Sequence, residues 1–243
     1  MQNVRIAVIS DIHGNRTAFE AVLSDLRKTS PDVVFHAGDL ADGGSSPVEI
    51  VDQLSDLGWA GLIGNTDEML SIPERFEEFA RARPQLDQLW RVTRDMADFT
   101  RERLGHDRLQ WLRQLPRQQV CDSVAVVHAS PATCWTSPIP EATDVEFQST
   151  YTELAHPIAI YGHIHLPFVR QLSNLTVANS GSVGMPFDGD PRASYLLITG
   201  TNAAIRRVEY DVEQEIRNLF AAGLPYAEWI AKILQTARPQ MPD

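Results

Sequence analysis

The first 63 residues alternate short apolar runs with helical stretches, and that rhythm leaves few folds open. Val4 to Ile9 is apolar and β-branched, as a buried strand should be. A helix follows, with Phe19, Val22, Leu23 and Leu26 on one face. Val33 to Ala37 reads as a second strand. Ser46-Pro47-Val48-Glu49 reads as a capping box with proline at the first helical position, and Gly58 closes that helix. Trp59 to Ile63 reads as a third strand. A β-α-β-α-β order implies a parallel sheet with right-handed crossovers. In such sheets functional residues collect in the loops at the carboxyl ends of the strands.

Farther along, Ser71 to Leu115 is rich in Arg, Glu and Leu and predicts helices that cover the sheet or form a small cap. β-structure returns from Val120: Val124–Val127, Ile158–Tyr161, Phe168–Leu172, Leu175–Asn179, Tyr195–Ile198 and Ala203–Tyr210. Ser173-Asn174 and Thr201-Asn202 stand where hairpin turns belong. A helical tail runs over about 212–238, interrupted near Gly223-Leu224-Pro225. The expectation is one α/β domain over 1–243 with a helical insertion at about 71–115. Its two sheets pack face to face with helices outside. A chain of 243 residues is long enough to bury such a core without staples.

Five short motifs sit just after strand-like runs. They are Asp11-Ile12-His13, Gly38-Asp39, Gly64-Asn65-Thr66-Asp67, His128, and Gly162-His163-Ile164-His165. Imidazole nitrogen with carboxylate and amide oxygen suits divalent Mn, Fe, Zn, Ni or Co. The Asp-x-His and His-x-His spacings aim both side chains of a pair toward one rim. Each motif alone has a plainer reading. Asp-x-His is commonly a turn pair, Gly-Asp and Gly-Asn-x-Asp are common turns, and His128 would serve as a half-buried strand-end residue. Together they give seven donors, Asp11, His13, Asp39, Asn65, His128, His163 and His165. Seven are too many for one open catalytic ion. They suit two ions about 3.5–4 Å apart with a shared carboxylate and water between.

This set resembles the calcineurin-like metallophosphoesterase superfamily, over nearly the whole chain up to about residue 210. Asn179-Ser180-Gly181-Ser182-Val183-Gly184-Met185-Pro186, followed by Ser194-Tyr195, is similar to a stretch of its small bacterial and archaeal (YfcE-like) phosphodiesterase branch. Ser180 stands where that branch usually has proline. A structural turn beside the site is the favoured role for this run. The resemblance implies a four-layer α/β/β/α sandwich of two mixed sheets. It implies that Asp11, His13 and His165 hold one ion, that Asn65, His128 and His163 hold the other, and that Asp39 bridges them, with manganese favoured. A water between the ions would attack phosphorus. Asp39, Asn65, Thr66 and Asp67 are the candidate catalytic residues.

Thr66 marks a departure. Many members have histidine there, thought to protonate the leaving oxygen. A threonine hydroxyl cannot act as a general acid near pH 7, and losing one typically costs about 10²–10⁴-fold in rate. Either the enzyme prefers diesters with good leaving groups, or substrate or water supplies the proton, or activity is residual; a phosphodiesterase is the favoured reading. A dinucleoside polyphosphate or phosphoprotein phosphatase, and a weakly catalytic nucleotide-binding module, are the alternatives.

The formal net charge of −11 opposes loose binding to nucleic acid or anionic membranes. Bound cations would let such a chain accept a small phosphodiester or nucleotide-like anion. The strand pattern begins at once, with no basic or long apolar leader. A cytoplasmic protein is expected, with Cys121 and Cys134 as thiols. His36 is expected to be a buried supporting donor, His106 solvated, and His156 favourably placed at a helix end. Cys134-Trp135 is expected to wall the pocket or pack as a loop tip. The arginines at 75, 81, 83, 91, 94, 101 and 103 are expected to form a solvated helical face.

Overall fold

The computed structural model describes residues 4–242. Its first sheet contains β1 (Arg5–Ile9), β2 (Val33–His36), β3 (Ala60–Gly61), β9 (Ala193–Thr199) and β10 (Asn202–Val208), in the order β10-β9-β1-β2-β3. Its second contains β4 (Gln118–Cys121), β5 (Val124–Val127), β6 (Ile158–Tyr161), β7 (Phe168–Gln171) and β8 (Thr176–Asn179), in the order β4-β5-β6-β8-β7. Both sheets are mixed. β1, β2 and β3 are parallel, as are β5, β6 and β8, and the remaining pairs are antiparallel.

Strand periodicity builds the layers. Ile6 and Val8 of β1 meet Phe35, Leu196 and Ile198, and across the gap Val124, Val126, Ile158, Ile160 and Ala178 of the other sheet. Their neighbours point the opposite way, because successive strand residues alternate faces. Ala7 and Ile9 pack on Phe19, Val22 and Leu26 of α1 (Arg16–Thr29) and on Ile50 and Leu54 of α2 (Pro47–Leu57). Ala125, Val127, Ala159, Tyr161 and Val177 pack on Phe147 and Tyr151 of α6 (Asp144–Tyr151). The result is the expected four-layer α/β/β/α sandwich.

The segment between β3 and β4 is helical. It contains α3 (Asn65–Ser71), α4 (Pro73–Arg81) and α5 (Asp87–Gln114), and α5 breaks at Gly105, whose φ is 67°. The tail forms α7 (Val212–Ala222) and α8 (Ala227–Thr236), separated by an αL cap at Gly223. Ile216, Leu219, Ile230 and Ile233 of the tail pack on Val92 and Met96 of α5 and on Met185. Among the described residues no helix is long and apolar enough to cross a membrane.

Several expectations need correction. The third strand keeps only two residues of Trp59–Ile63 in register, because the Ile63 N–H turns away to Pro116 O. Gly58 caps α2 in αL geometry, but Ser46 makes no side-chain cap. Its hydroxyl lies 3.1 Å from that of Ser45. The second sheet starts at Gln118, before Val120, because Asp122-Ser123 closes a tight hairpin from Cys121 to Val124, with Asp122 at φ 55°. The sequence marks only the end of a helix, near His156; its body is α6, which stops earlier, at Tyr151. A reciprocal capping box between Thr143 and Glu146 starts it.

Candidate metal centre

All five motif loops meet at the carboxyl edge of the two sheets. The loop after β1 lies along the loop after β2, through Asp11 N–H to Gly38 O at 2.9 Å and His13 N–H to Asp39 O at 3.0 Å. In the second sheet the loops after β5 and β6 meet through Gly162 N–H to His128 O at 2.9 Å, and they join the first sheet through His163 N–H to the Asp11 carboxylate at 3.1 Å. Two glycines allow this approach. A Cβ on Gly64 would fall 2.1 Å from Asp39 Oδ1, and one on Gly162 would fall 2.5 Å from Asp11 Oδ2.

Backbone strain marks the same place. Asp11, His13, Asp39, His163 and His165 all have φ between 50° and 67°. They are five of the ten non-glycine residues with positive φ among those described. Such conformations cost of order 1–3 kcal/mol each and persist where the surroundings enforce them for function.

The histidines show their chemistry through the nitrogen that faces away. Nδ1 of His13 donates to Asp42 O at 2.7 Å, Nδ1 of His128 to Ala37 O at 2.7 Å, and Nδ1 of His165 to Met185 O at 2.5 Å. A carbonyl only accepts, so each ring keeps a proton on Nδ1, and Nε2 is the atom that offers a lone pair whenever the ring is neutral. Metal-ligating histidines are commonly fixed in this way. His13 Nε2 and His165 Nε2 then face each other at 3.2 Å. Two lone pairs at that distance repel unless a cation lies among them. Likewise Asn65 Oδ1 lies 2.9 Å from His128 Nε2 and 2.8 Å from His163 Nδ1.

Two donor sets share one carboxylate. Asp11, His13, Asp39 and His165 present atoms within 4.8 Å of one another, and Asp39, His128 and His163 do the same. Burial opposes ionisation of Asp39, yet the facing His128 and His13 hold its carboxyl well below the usual range. Burial also opposes a charged His128, yet Asp39 raises it to about 9. The acids of this site draw positive charge. Burial together with the His128 charge lowers His163 to about 4, leaving it neutral and able to ligate. The residues present fit a divalent metal.

Thr66 and Asp67 play different parts. The Thr66 N–H donates to Asp39 Oδ1 at 2.9 Å, while its hydroxyl is buried without a hydrogen-bond partner. Asp67 is fully buried, and both its oxygens face backbone. They accept from Asp39 N–H at 2.8 Å, Leu40 N–H at 2.9 Å and Gly64 N–H at 2.9 Å. Asp67 therefore ties the loops after β2 and β3 together, with both oxygens buried against backbone N–H groups.

The residues outside the donor set are also settled. The 179–186 run is a structural turn beneath the site. Asn179 Nδ2 donates to Gly162 O at 2.6 Å, and Ser182 Oγ to Asp11 O at 2.7 Å. Sequence reasoning missed Ser10, whose Oγ lies 2.5 Å from Asp11 Oδ2 and 2.6 Å from Ser180 Oγ. It also missed Asp42, which holds His13 from behind; the only signal for either was adjacency to a motif. His36 is buried with neither ring nitrogen bonded, so it is not the supporting donor expected. His106 is exposed, and His156 Nδ1 donates to Leu154 O at 2.6 Å. Cys134 is buried against Glu68 rather than walling a pocket. Burial and the Glu68 charge push its thiol up to about 12.

Residues 4–203 match the model of the calcineurin-like phosphoesterase superfamily domain. An uncharacterized protein of Methanocaldococcus jannaschii is 30% identical over 256 aligned residues, covering 96% of this chain and 98% of its own. A metallophosphoesterase of Sphaerobacter thermophilus, known as a crystal structure, is 28% identical with a TM-score of 0.79, covering 97% of this chain and 99% of its own. A hypothetical protein of Pyrococcus horikoshii shares the fold at 20% identity, with a TM-score of 0.80 over 95% of this chain and 97% of its own.

Proposed function

Because the chain belongs to the calcineurin-like phosphoesterase superfamily, we propose that it is a two-metal phosphodiesterase acting on a small phosphodiester or nucleotide-like substrate. The observation that carries this is the pair of donor sets sharing Asp39. Asp11, His13 and His165 would hold one ion, and Asn65, His128 and His163 the other. When bound, two divalent ions, manganese favoured, would lower the pKa of a water between them and offset the charge on the phosphate.

The chain's own residues supply the rest. Asp39 lies with Oδ2 3.7 Å from His13 Nε2 and Oδ1 3.4 Å from His128 Nε2, so one carboxylate serves both sides. Thr66 fixes Asp39 through its N–H, and Asp67 fixes the two loops; both position the bridge and neither moves a proton. With no imidazole at position 66, the leaving oxygen must depart without a general acid from that side. Diesters with acidic leaving groups meet that condition best.

A cytoplasmic location is part of the proposal, supported by the free thiols Cys121 and Cys134. Stable binding to nucleic acid or membrane is not part of it, given the net charge of −11. The experiment is hydrolysis of bis(p-nitrophenyl) phosphate and p-nitrophenyl phosphate by Mn²⁺-loaded protein. The diester should be cleaved faster, and EDTA should abolish both rates. A faster monoester rate would make the protein a phosphomonoesterase, and EDTA-resistant cleavage would remove the metal mechanism.

A further inference from the structure

Five of the nine arginines of the 71–115 segment pair with a carboxylate. Arg91 pairs with Asp87, Arg94 with Glu77 at 2.8 Å, and Arg101 with Asp98 at 2.5 Å. Like Arg103, whose guanidinium carbon lies 3.4 Å from the centroid of the Phe99 ring, Arg83, just after α4, pairs with no carboxylate among the described residues. Its guanidinium carbon lies 3.7 Å from the centroid of the Phe79 ring, and its Nη1 donates to Phe79 O at 3.2 Å. Its own carbonyl accepts from Trp90 Nε1 at 2.8 Å. The side chain is therefore held, yet no carboxylate pairs with it among the described residues.

Arg83 edges a cavity of about 570 Å³, and Arg75 and Arg117 line the same cavity. The nearby acids do not cancel these charges. Arg75 meets Glu78 at 3.4 Å with both side chains more than half exposed, a pairing worth little in water. Glu68, which receives Arg117, is 2% exposed and faces inward. It also accepts from Trp135 Nε1 at 2.5 Å and Cys134 Sγ at 3.4 Å. Arg117 itself is about half exposed. Three arginines and two glutamates, Glu68 and Glu78, thus line the cavity, a net positive lining in a chain whose net charge is −11.

No donor residue lines the cavity, but its walls stand on segments that leave two of the donors. Glu68 stands three residues after Asn65 on α3, so its wall begins about 5 Å along the axis from that donor. The facing wall contains Thr133 and Trp135, on the loop that leaves β5 after His128. Both walls continue from donor residues at one sheet edge.

We propose that this cavity binds a second, non-reacting phosphate of the substrate. This rests on the phosphoesterase reading above and narrows it to diesters that carry a further phosphate. A guanidinium already fixed by a ring and a carbonyl has little freedom left to lose, and its planar donors match phosphate oxygens. Trp135 and Phe79, with ring centroids 4.7 Å apart, back the site with an apolar wall that reduces screening by water.

The test is calorimetric titration of the Mn²⁺-loaded full chain with thymidine 5′-monophosphate and with thymidine 3′,5′-bisphosphate, which differ by one phosphate. The unmodified chain should bind the bisphosphate about tenfold more tightly. Arg83→Gln should bring the two ligands to equal affinity and leave the monophosphate within about twofold of its original value. Arg91→Gln, altering an arginine paired outside the cavity, should keep the gap. Equal affinities in the unmodified chain, or a gap that survives Arg83→Gln, overturn the proposal. Binding is read without turnover, so absent hydrolysis would count against the phosphoesterase reading and not against this site.

Discussion

At the scale of single residues, Asp39 concentrates the site's electrostatics. It faces His13 and His128, accepts the Thr66 N–H, and belongs to both donor sets. Asp39→Ala should therefore reduce metal content and activity more than any other single donor change, by at least about 10³-fold in rate. Metal analysis and kinetics beside His13→Ala and His163→Ala would check this. If Asp39→Ala proves the mildest of the three, another residue bridges. Thr66 gives a second expectation. Across a series of aryl phosphodiesters the rate should depend steeply on leaving-group pKa, with alkyl esters nearly inert. A flat dependence would mean that some other group supplies the proton.

Among secondary-structure elements, the α3 start shows how the fold aims its chemistry. Asp67 gathers three backbone N–H groups from two loops, and those loops carry Asp39 and Asn65. Asp67→Asn would turn an amide N–H₂ toward at least one of those donors. In metal-free protein this should cost about 2–4 kcal/mol, read by urea unfolding. A loss under about 0.5 kcal/mol would mean that the loops hold themselves. The elements that bear the donors were legible because their apolar runs are long and sit directly before the motifs. Val4–Ile9 and Ile158–Tyr161 are such cases. The start of α6 was not legible because the helix is eight residues long and buries only Phe147 and Tyr151, leaving little periodicity to read. The third strand was overdrawn because a sheet-edge run is apolar for packing reasons even where its pairing stops. The residues that converge at this edge were readable from spacing. Ser10, Asp42 and the carbonyl of Met185 were not, since a supporting hydrogen bond leaves no trace in residue type.

Over the whole molecule, stability should respond to acid through His36. Its ring is fully buried, has no hydrogen-bond partner, and fills the space a Gly61 Cβ would need. Burial lowers its pKa to about 4 from 6.5. The folded chain keeps the ring neutral while the unfolded chain takes up the proton first. The contribution is therefore fully present above pH 6.5 and is lost as pH falls from 6.5 toward 4. It should amount to about 3 kcal/mol. Urea unfolding at pH 7 and pH 4.5 should show His36→Phe losing less stability on acidification than the unmodified chain. Equal losses would place the acid sensitivity in other groups.

The sandwich brings loops from two sheets to one edge, and the account stands on what that edge holds. Anomalous diffraction from crystals of Mn²⁺-loaded protein, with elemental analysis of the same sample, tests it most directly. Two peaks about 3.5–4 Å apart on either side of Asp39, with two ions per chain, are predicted. One peak, with Asn65 and His128 away from it, would contradict the two-metal centre.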